Sequence, residues 1–65
     1  MDRTSIVGER LLKLRGDHTQ QEVADSIGVT VSAIGMYERG ERIPRDEIKI
    51  KLAEFYNTSV QSIFF

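Results

Sequence analysis

Positive charge is concentrated in one short segment of the chain. Arg39, Arg42 and Arg45 follow one another at three-residue spacing, with Glu41 as the single acidic residue between them. A local excess of guanidinium groups can bind phosphates by charge and by hydrogen bonding. Over the whole chain, however, 9 basic and 10 acidic residues give a formal net charge of −1. Because nucleic-acid binders are usually basic, phosphate binding here depends on where the charges lie.

The sequence offers few candidate residues for a catalytic or metal site. Cysteine is absent and His18 is the one histidine, which excludes disulfides and a cysteine nucleophile and argues against a structural zinc site. The carboxylates form no paired-acid pattern, and no nucleophile–base pair or glycine-rich phosphate loop can be recognised. We therefore expect no enzyme activity, no cofactor or metal, and no small-molecule substrate.

The apolar residues recur at helical spacing, and no alternating pattern of convincing length indicates a strand. The sequence predicts an all-α fold, a compact five-helix bundle forming a single domain over residues 1–65. Helices are expected over residues 5–15, from 19 to a stop at 28, and over 31–39, 46–56 and 60–64. The residues expected to face the core are Val7, Leu11, Leu14, Val23, Ala24, Ile27, Ile34, Tyr37, Ile48, Leu52, Phe55, Ile63 and Phe64.

Capping residues mark the helix boundaries. Thr4 or Ser5 is the expected cap of the first helix, and Asn57 suits the left-handed end of the fourth. The clearest signal runs from Thr19 to Glu22, where Thr-Gln-Gln-Glu forms a capping box. A helix start of this kind also offers free amides and a positive dipole end to an anion.

A very tight turn joins the second and third helices. Only Val29 separates Gly28, which ends the second helix, from Thr30, which can cap the third. Such a turn needs a small residue where the helices cross, which Ala24 provides, and a glycine to take the backbone through the turn. This pattern is typical of a helix-turn-helix, whose second helix forms a ridge of a width that fits the DNA major groove.

Several motifs occur in a fixed order along the chain: Thr19-Gln20-Gln21-Glu22-Val23-Ala24, Gly28-Val29-Thr30, Ile34, Tyr37-Glu38-Arg39-Gly40, Pro44, the run Leu52-Ala53-Glu54-Phe55-Tyr56, Ser59-Val60 and Ile63-Phe64. Taken together they resemble the Xre/Cro-repressor family of bacterial and phage regulators, which has the lambda-repressor-like fold. The resemblance spans about residues 6–64. It implies a small sequence-specific transcription regulator, more often a repressor, that inserts its third helix in the major groove of double-stranded DNA.

The resemblance also implies roles for individual positions. DNA phosphates would be held by Thr19 and Gln20, at the start of the second helix, and by Arg39, Arg42 and Arg45, beyond the third. Base edges would be contacted from Thr30, Val31, Ser32, Gly35 and Met36. Arg15 and Glu38 match a structural ion pair between the first and third helices.

The outer face of the third helix departs from its relatives because it has few hydrogen-bonding side chains. Family members often carry Gln, Arg or Asn there, which bind bases bidentately, whereas this chain has Val31, Ser32, Gly35 and Met36. The glycine costs the helix about 1 kcal/mol relative to alanine and would let the backbone approach a base or phosphate. Specificity would then depend on DNA shape and deformability, or on thymine methyl groups in the operator.

One copy making about three or four phosphate contacts would bind weakly at physiological salt. We therefore expect a homodimer on a palindromic operator, with half-sites about 10 base pairs apart or a multiple of that spacing. Phe65 has no obvious place in the core and is a candidate for the dimer contact. Neither a membrane span nor a signal peptide is indicated, so a cytoplasmic protein is expected.

An alternative function fits the same fold. The low charge and the apolar Val31 and Met36 would also suit a protein-interaction module that binds another regulator or a toxin, as an antirepressor or antitoxin-like partner. Binding to duplex DNA that weakens steeply with salt would distinguish the regulator from this alternative.

Overall fold

The computed structural model describes residues 2–65, so that Met1, the first residue of the predicted domain, lies outside the described residues. All regular structure in the described range is helical: α1 Arg3–Arg15, α2 Gln20–Ile27, α3 Val31–Glu38, α4 Asp46–Phe55 and α5 Val60–Phe64. α1 packs against α3 and α5, α2 against α3 and α4, and α4 against α5. The predicted all-α, five-helix bundle is confirmed. None of the helices within residues 2–65 is sufficiently long and apolar to span a membrane.

α1 begins two residues earlier than predicted, and the prediction of Thr4 or Ser5 as its cap was wrong. The cap is Asp2, whose Oδ1 accepts a hydrogen bond from the Ser5 amide at 2.9 Å. A carboxylate suits this place because it also interacts favourably with the positive end of the helix dipole. The cap predicted at Asn57 is confirmed, since its φ of 53° is left-handed.

The core contains most of the predicted residues, with one error. The buried apolar side chains are Val7, Leu11, Val23, Ala24, Ile27, Ile34, Tyr37, Ile48, Leu52, Ala53, Ile63 and Phe64, and Phe55 packs partly buried against them. Leu14, predicted to be buried, is 37% exposed. The inward line of α1 continues from Val7 and Leu11 at four-residue spacing to Arg15, which leaves Leu14 beside it.

α1 approaches the end of α3 very closely at Gly8. A Cβ atom on Gly8 would lie 2.5 Å from the Glu38 carbonyl oxygen and 3.0 Å from the Gly40 amide nitrogen. Gly40 ends α3 with a φ of 74°, and the following Glu41 amide donates to the Met36 carbonyl at 2.9 Å. The backbone of α1 is therefore in direct contact with the turn that ends α3.

Candidate nucleic-acid interface

The turn between α2 and α3 has the geometry that the sequence predicts. Ala24 is fully buried where the helices cross, and Gly28 adopts a left-handed φ of 76°. The amides of Gly28 and Val29 both donate to the Ala24 carbonyl, at 2.9 and 3.0 Å. α3 then begins at Val31 with its inner side, Ile34 and Tyr37, buried in the core.

The opposite side of α3 carries the predicted base-contact residues, and they differ in exposure. Thr30 and Ser32 are exposed, whereas Val31 and Met36 are half-buried. The Thr30 hydroxyl accepts from the Ala33 amide at 3.1 Å and so caps the helix. Val31 packs partly against the core, which leaves Ser32 as the most accessible polar side chain within α3.

Gly35 is buried in the free protein because the Arg39 side chain lies over it, and the approach of a base or phosphate to its backbone stays a prediction. A Cβ atom at Gly35 would lie 2.7 Å from Nη1 of Arg39 and 3.5 Å from its Cζ. Helical side chains lean toward the N-terminus of their helix, so the long Arg39 side chain lies over the residue four positions before it. The group that covers Gly35 on the outer face of α3 is therefore the Arg39 guanidinium.

The predicted phosphate-binding arginines differ in their partners. Arg39 Nε lies 2.6 Å from Glu41 Oε2, and Arg45 Nε lies 3.3 Å from Glu47 Oε1. Hydrogen bonding between Arg39 and Glu41 raises the pKa of the guanidinium and lowers the pKa of the carboxyl. Arg42 forms no ion pair with the described part of the chain. Because both ion pairs are exposed, water screens them, and a phosphate can compete for either arginine.

The start of α2 holds both predicted residues Thr19 and Gln20, but part of its binding capacity is already used. The Thr19 hydroxyl accepts from the Glu22 amide at 3.0 Å, and the Glu22 carboxylate accepts from the Thr19 amide at 2.8 Å. The hydrogen bond from the Thr19 backbone is the main cause that lowers the pKa of Glu22. The amides of Gln20 and Gln21 accordingly remain for an anion at this helix start.

A network around Glu38 joins three helices. Its side chain is 6% exposed and accepts from Arg15 Nε at 2.7 Å, which confirms the predicted ion pair. The other carboxylate oxygen accepts from Gln20 Nε2 at 3.0 Å, a contact that the sequence did not indicate. The pKa of Tyr56 is raised to about 12, mainly by burial and to a smaller extent by the charge of Glu38. Gln20 Nε2 keeps one further N–H that is available to a phosphate.

The other end of the bundle shows where Phe65 lies. Its side chain is 66% exposed, as expected for a residue without a place in the core. Arg10 Nη1 donates to the carbonyls of Ile63 and Phe65, at 3.1 and 3.4 Å, and so satisfies the end of α5. Phe65 also lines an open groove of about 300 Å³ with Ile50 and Val60.

Comparisons with known proteins extend over most of the chain. The family described as helix-turn-helix matches residues 9–63. The "Cryptic phage CTXphi transcriptional repressor RstR" of Vibrio cholerae is 37% identical over 54 residues, which are 83% of this chain and 49% of that protein. The chain thus spans about half the length of this curated relative, and no solved structure gives a significant match. With the tight turn, the buried crossing and the family match in agreement, the chain belongs to the Xre/lambda-repressor-like helix-turn-helix family.

Proposed function

We propose that this protein is a DNA-binding transcription regulator, a small repressor that inserts α3 in the major groove of double-stranded DNA. The observation that carries the proposal is the geometry of α3. Its inner side is buried through Ile34 and Tyr37, and its outer side presents the exposed Ser32 and the Arg39 guanidinium. The relative named as a phage repressor supports the same function. Such a regulator would act in the cytoplasm, on DNA rather than on a small-molecule substrate.

Phosphate contacts would lie on both sides of this ridge. Arg42, which has no ion pair among residues 2–65, and the exposed Arg45 would bind phosphates beyond α3. Thr19 and Gln20 would bind a phosphate at the start of α2, where Glu38 fixes the Gln20 amide through a 3.0 Å hydrogen bond. These contacts would fix the orientation of α3 in the groove without reading sequence.

We also propose that two copies bind a palindromic operator, because so few phosphate contacts give one copy little affinity. The groove between α4 and α5 suits a second copy. Ile50 and Phe65 are 52% and 66% exposed, and Asp46 and Lys49 lie at the groove with opposite charges. Asp46 and Lys49 already pair within one copy, with Oδ1 and Nζ 3.7 Å apart. The exposed Ile50 and Phe65 would therefore carry the contact around a two-fold axis.

Sedimentation equilibrium tests this assembly. Two copies are expected on each duplex that carries two half-sites, and Ile50→Glu should reduce the occupancy to one copy at the same protein concentration. The substitution places a charge in an apolar contact but changes nothing at α3. One wild-type copy per duplex at saturation would contradict the dimer.

Salt titration with two single variants tests the docking of α3. Arg42→Ala should weaken binding to every duplex alike and reduce the slope of log K against log salt by about 1, because it removes one phosphate contact. Ser32→Ala should leave that slope unchanged and alter the preference at one base position. A change of preference alone in Arg42→Ala would contradict this docking. Wild-type protein that binds no duplex at low salt would favour the protein-interaction alternative.

A further inference from the structure

We propose that Arg39 reads a guanine base from the outer face of α3, instead of binding a phosphate beyond the end of the helix. This inference rests on the proposed function, since it concerns how α3 would recognise DNA. It would supply a bidentate donor on the face where the sequence of α3 itself offers only Ser32 and the capping Thr30.

The position of Arg39 places it on that face. Arg39 follows Gly35 by four residues and Ser32 by seven, so that all three lie on one side of the helical path, opposite the buried Ile34 and Tyr37. A recognition helix reads bases mainly through its N-terminal residues. Arg39 stands at the C-terminal end of α3 and can take part only if its side chain extends back along the helix.

The side chain does extend back by one turn. The Nη1, Cζ and Nη2 atoms lie 2.7, 3.5 and 3.6 Å from the place of a Cβ atom at Gly35. This position exists because residue 35 is glycine, since any larger residue would put atoms where the guanidinium lies. The Arg39 guanidinium therefore occupies the space that a side chain at position 35 would fill.

The guanidinium has one ion-pair partner and still has free donors. Glu41 accepts from Nε at 2.6 Å, and the turn at Gly40 brings Glu41 back toward the helix. Nη1 and Nη2 have no hydrogen-bond partner in residues 2–65, and the side chain is 59% exposed. Two N–H groups from one planar fork match the N7 and O6 acceptors that guanine presents in the major groove.

The test combines selection of duplexes from a random pool with binding measurements on four variants. Arg39→Ala removes both the planar guanidinium and its charge. Arg39→Lys removes the guanidinium but keeps a positive charge. Gly35→Ala leaves Arg39 in the chain but occupies the space under its guanidinium. Arg42→Ala is the matched control. It removes an arginine three residues after Arg39, and in the described residues the atoms nearest the place of a Cβ atom at Gly35 belong to Arg39.

The wild-type protein is expected to select a guanine at one position of each half-site. Arg39→Ala, Arg39→Lys and Gly35→Ala should each reduce discrimination at that position by roughly 10- to 100-fold, and Arg39→Lys should keep the wild-type salt dependence. Arg42→Ala should keep the guanine preference. Thermal unfolding followed by circular dichroism checks that each variant is folded.

Two results would overturn the inference, and they are distinguishable. If Arg39→Ala lowers affinity for all sequences alike and keeps every base preference, Arg39 binds a phosphate, and the proposed function stands without the guanine contact. If the wild-type protein selects no duplex even at low salt, the proposed function fails and the guanine contact fails with it.

Discussion

Replacement of Gly8 by alanine is expected to destabilise the fold by about 2–3 kcal/mol, in the range that overpacked cores show. Helix propensity alone predicts the opposite sign, since alanine is better than glycine by about 1 kcal/mol within a helix. The added Cβ would lie 2.5 Å from the Glu38 carbonyl oxygen, and a backbone atom held between α1 and α3 cannot move aside easily. In a domain of this size the midpoint of thermal unfolding should fall by roughly 10–20 °C.

Gly35→Ala is the matched control for this prediction, because it makes the same change in another helix. Its Cβ would meet Nη1 of Arg39 at 2.7 Å, the far end of an exposed and flexible side chain that can move away. We expect this variant to gain up to about 1 kcal/mol of stability. Urea unfolding followed at 222 nm measures both variants. If both alanines stabilise the fold, the close contact between α1 and the end of α3 does not exist.

Glu38→Ala is expected to cost about 2–3 kcal/mol of stability, as for the loss of hydrogen bonds to a buried charged group. The carboxylate is 6% exposed and accepts from both Arg15 and Gln20, so its removal leaves two donors without their acceptor. The same change should weaken DNA binding, because Gln20 is no longer fixed at the start of α2. Glu38→Gln keeps an acceptor for one of the two donors. It should therefore lose less stability and less DNA affinity than Glu38→Ala.

Tyrosine absorbance gives a second measurement on Glu38→Ala. The charge of Glu38 contributes to raising the pKa of Tyr56 to about 12, after the larger effect of burial. Alkaline titration should therefore show a lower pKa for Tyr56 in the variant, still above the ordinary value because burial remains. A variant with wild-type stability and an unchanged Tyr56 pKa would show that Glu38 does not organise these groups.

Local signals were enough to predict the helix-turn-helix. The Thr19–Glu22 capping box, the glycine at 28 and the small Ala24 each act through residues within four positions of one another. The cap of α1 was misplaced because three of the four positions from 2 to 5 carry capping side chains, Asp2, Thr4 and Ser5. Leu14 was misplaced because both three- and four-residue spacing are compatible with one helical face.

The contacts that organise the candidate interface are of longer range. Gly8 meets the end of α3 thirty residues later, and Gln20 meets Glu38 eighteen residues later. Such pairings depend on how the helices are placed after folding, which periodicity does not specify. The pairing of Arg39 with Glu41 depends on the left-handed turn at Gly40, because residues two apart on a continuous helix do not face each other.

Disulfide cross-linking at Ser32 tests most directly whether α3 lies in the major groove. The chain has no cysteine, so Ser32→Cys introduces a unique thiol on the outer face of α3, and Gln61→Cys provides an exposed control on α5. The probe is a bound duplex in which a uracil that replaces thymine carries, on a tether at C5, a thiol activated as a mixed disulfide. The tether projects into the major groove, and attack by the introduced cysteine forms the cross-link and releases the small leaving thiol. We predict rapid cross-linking of Ser32→Cys that disappears at high salt, and none of Gln61→Cys. Cross-linking of Gln61→Cys alone, with Ser32→Cys bound but unreactive, would contradict the account.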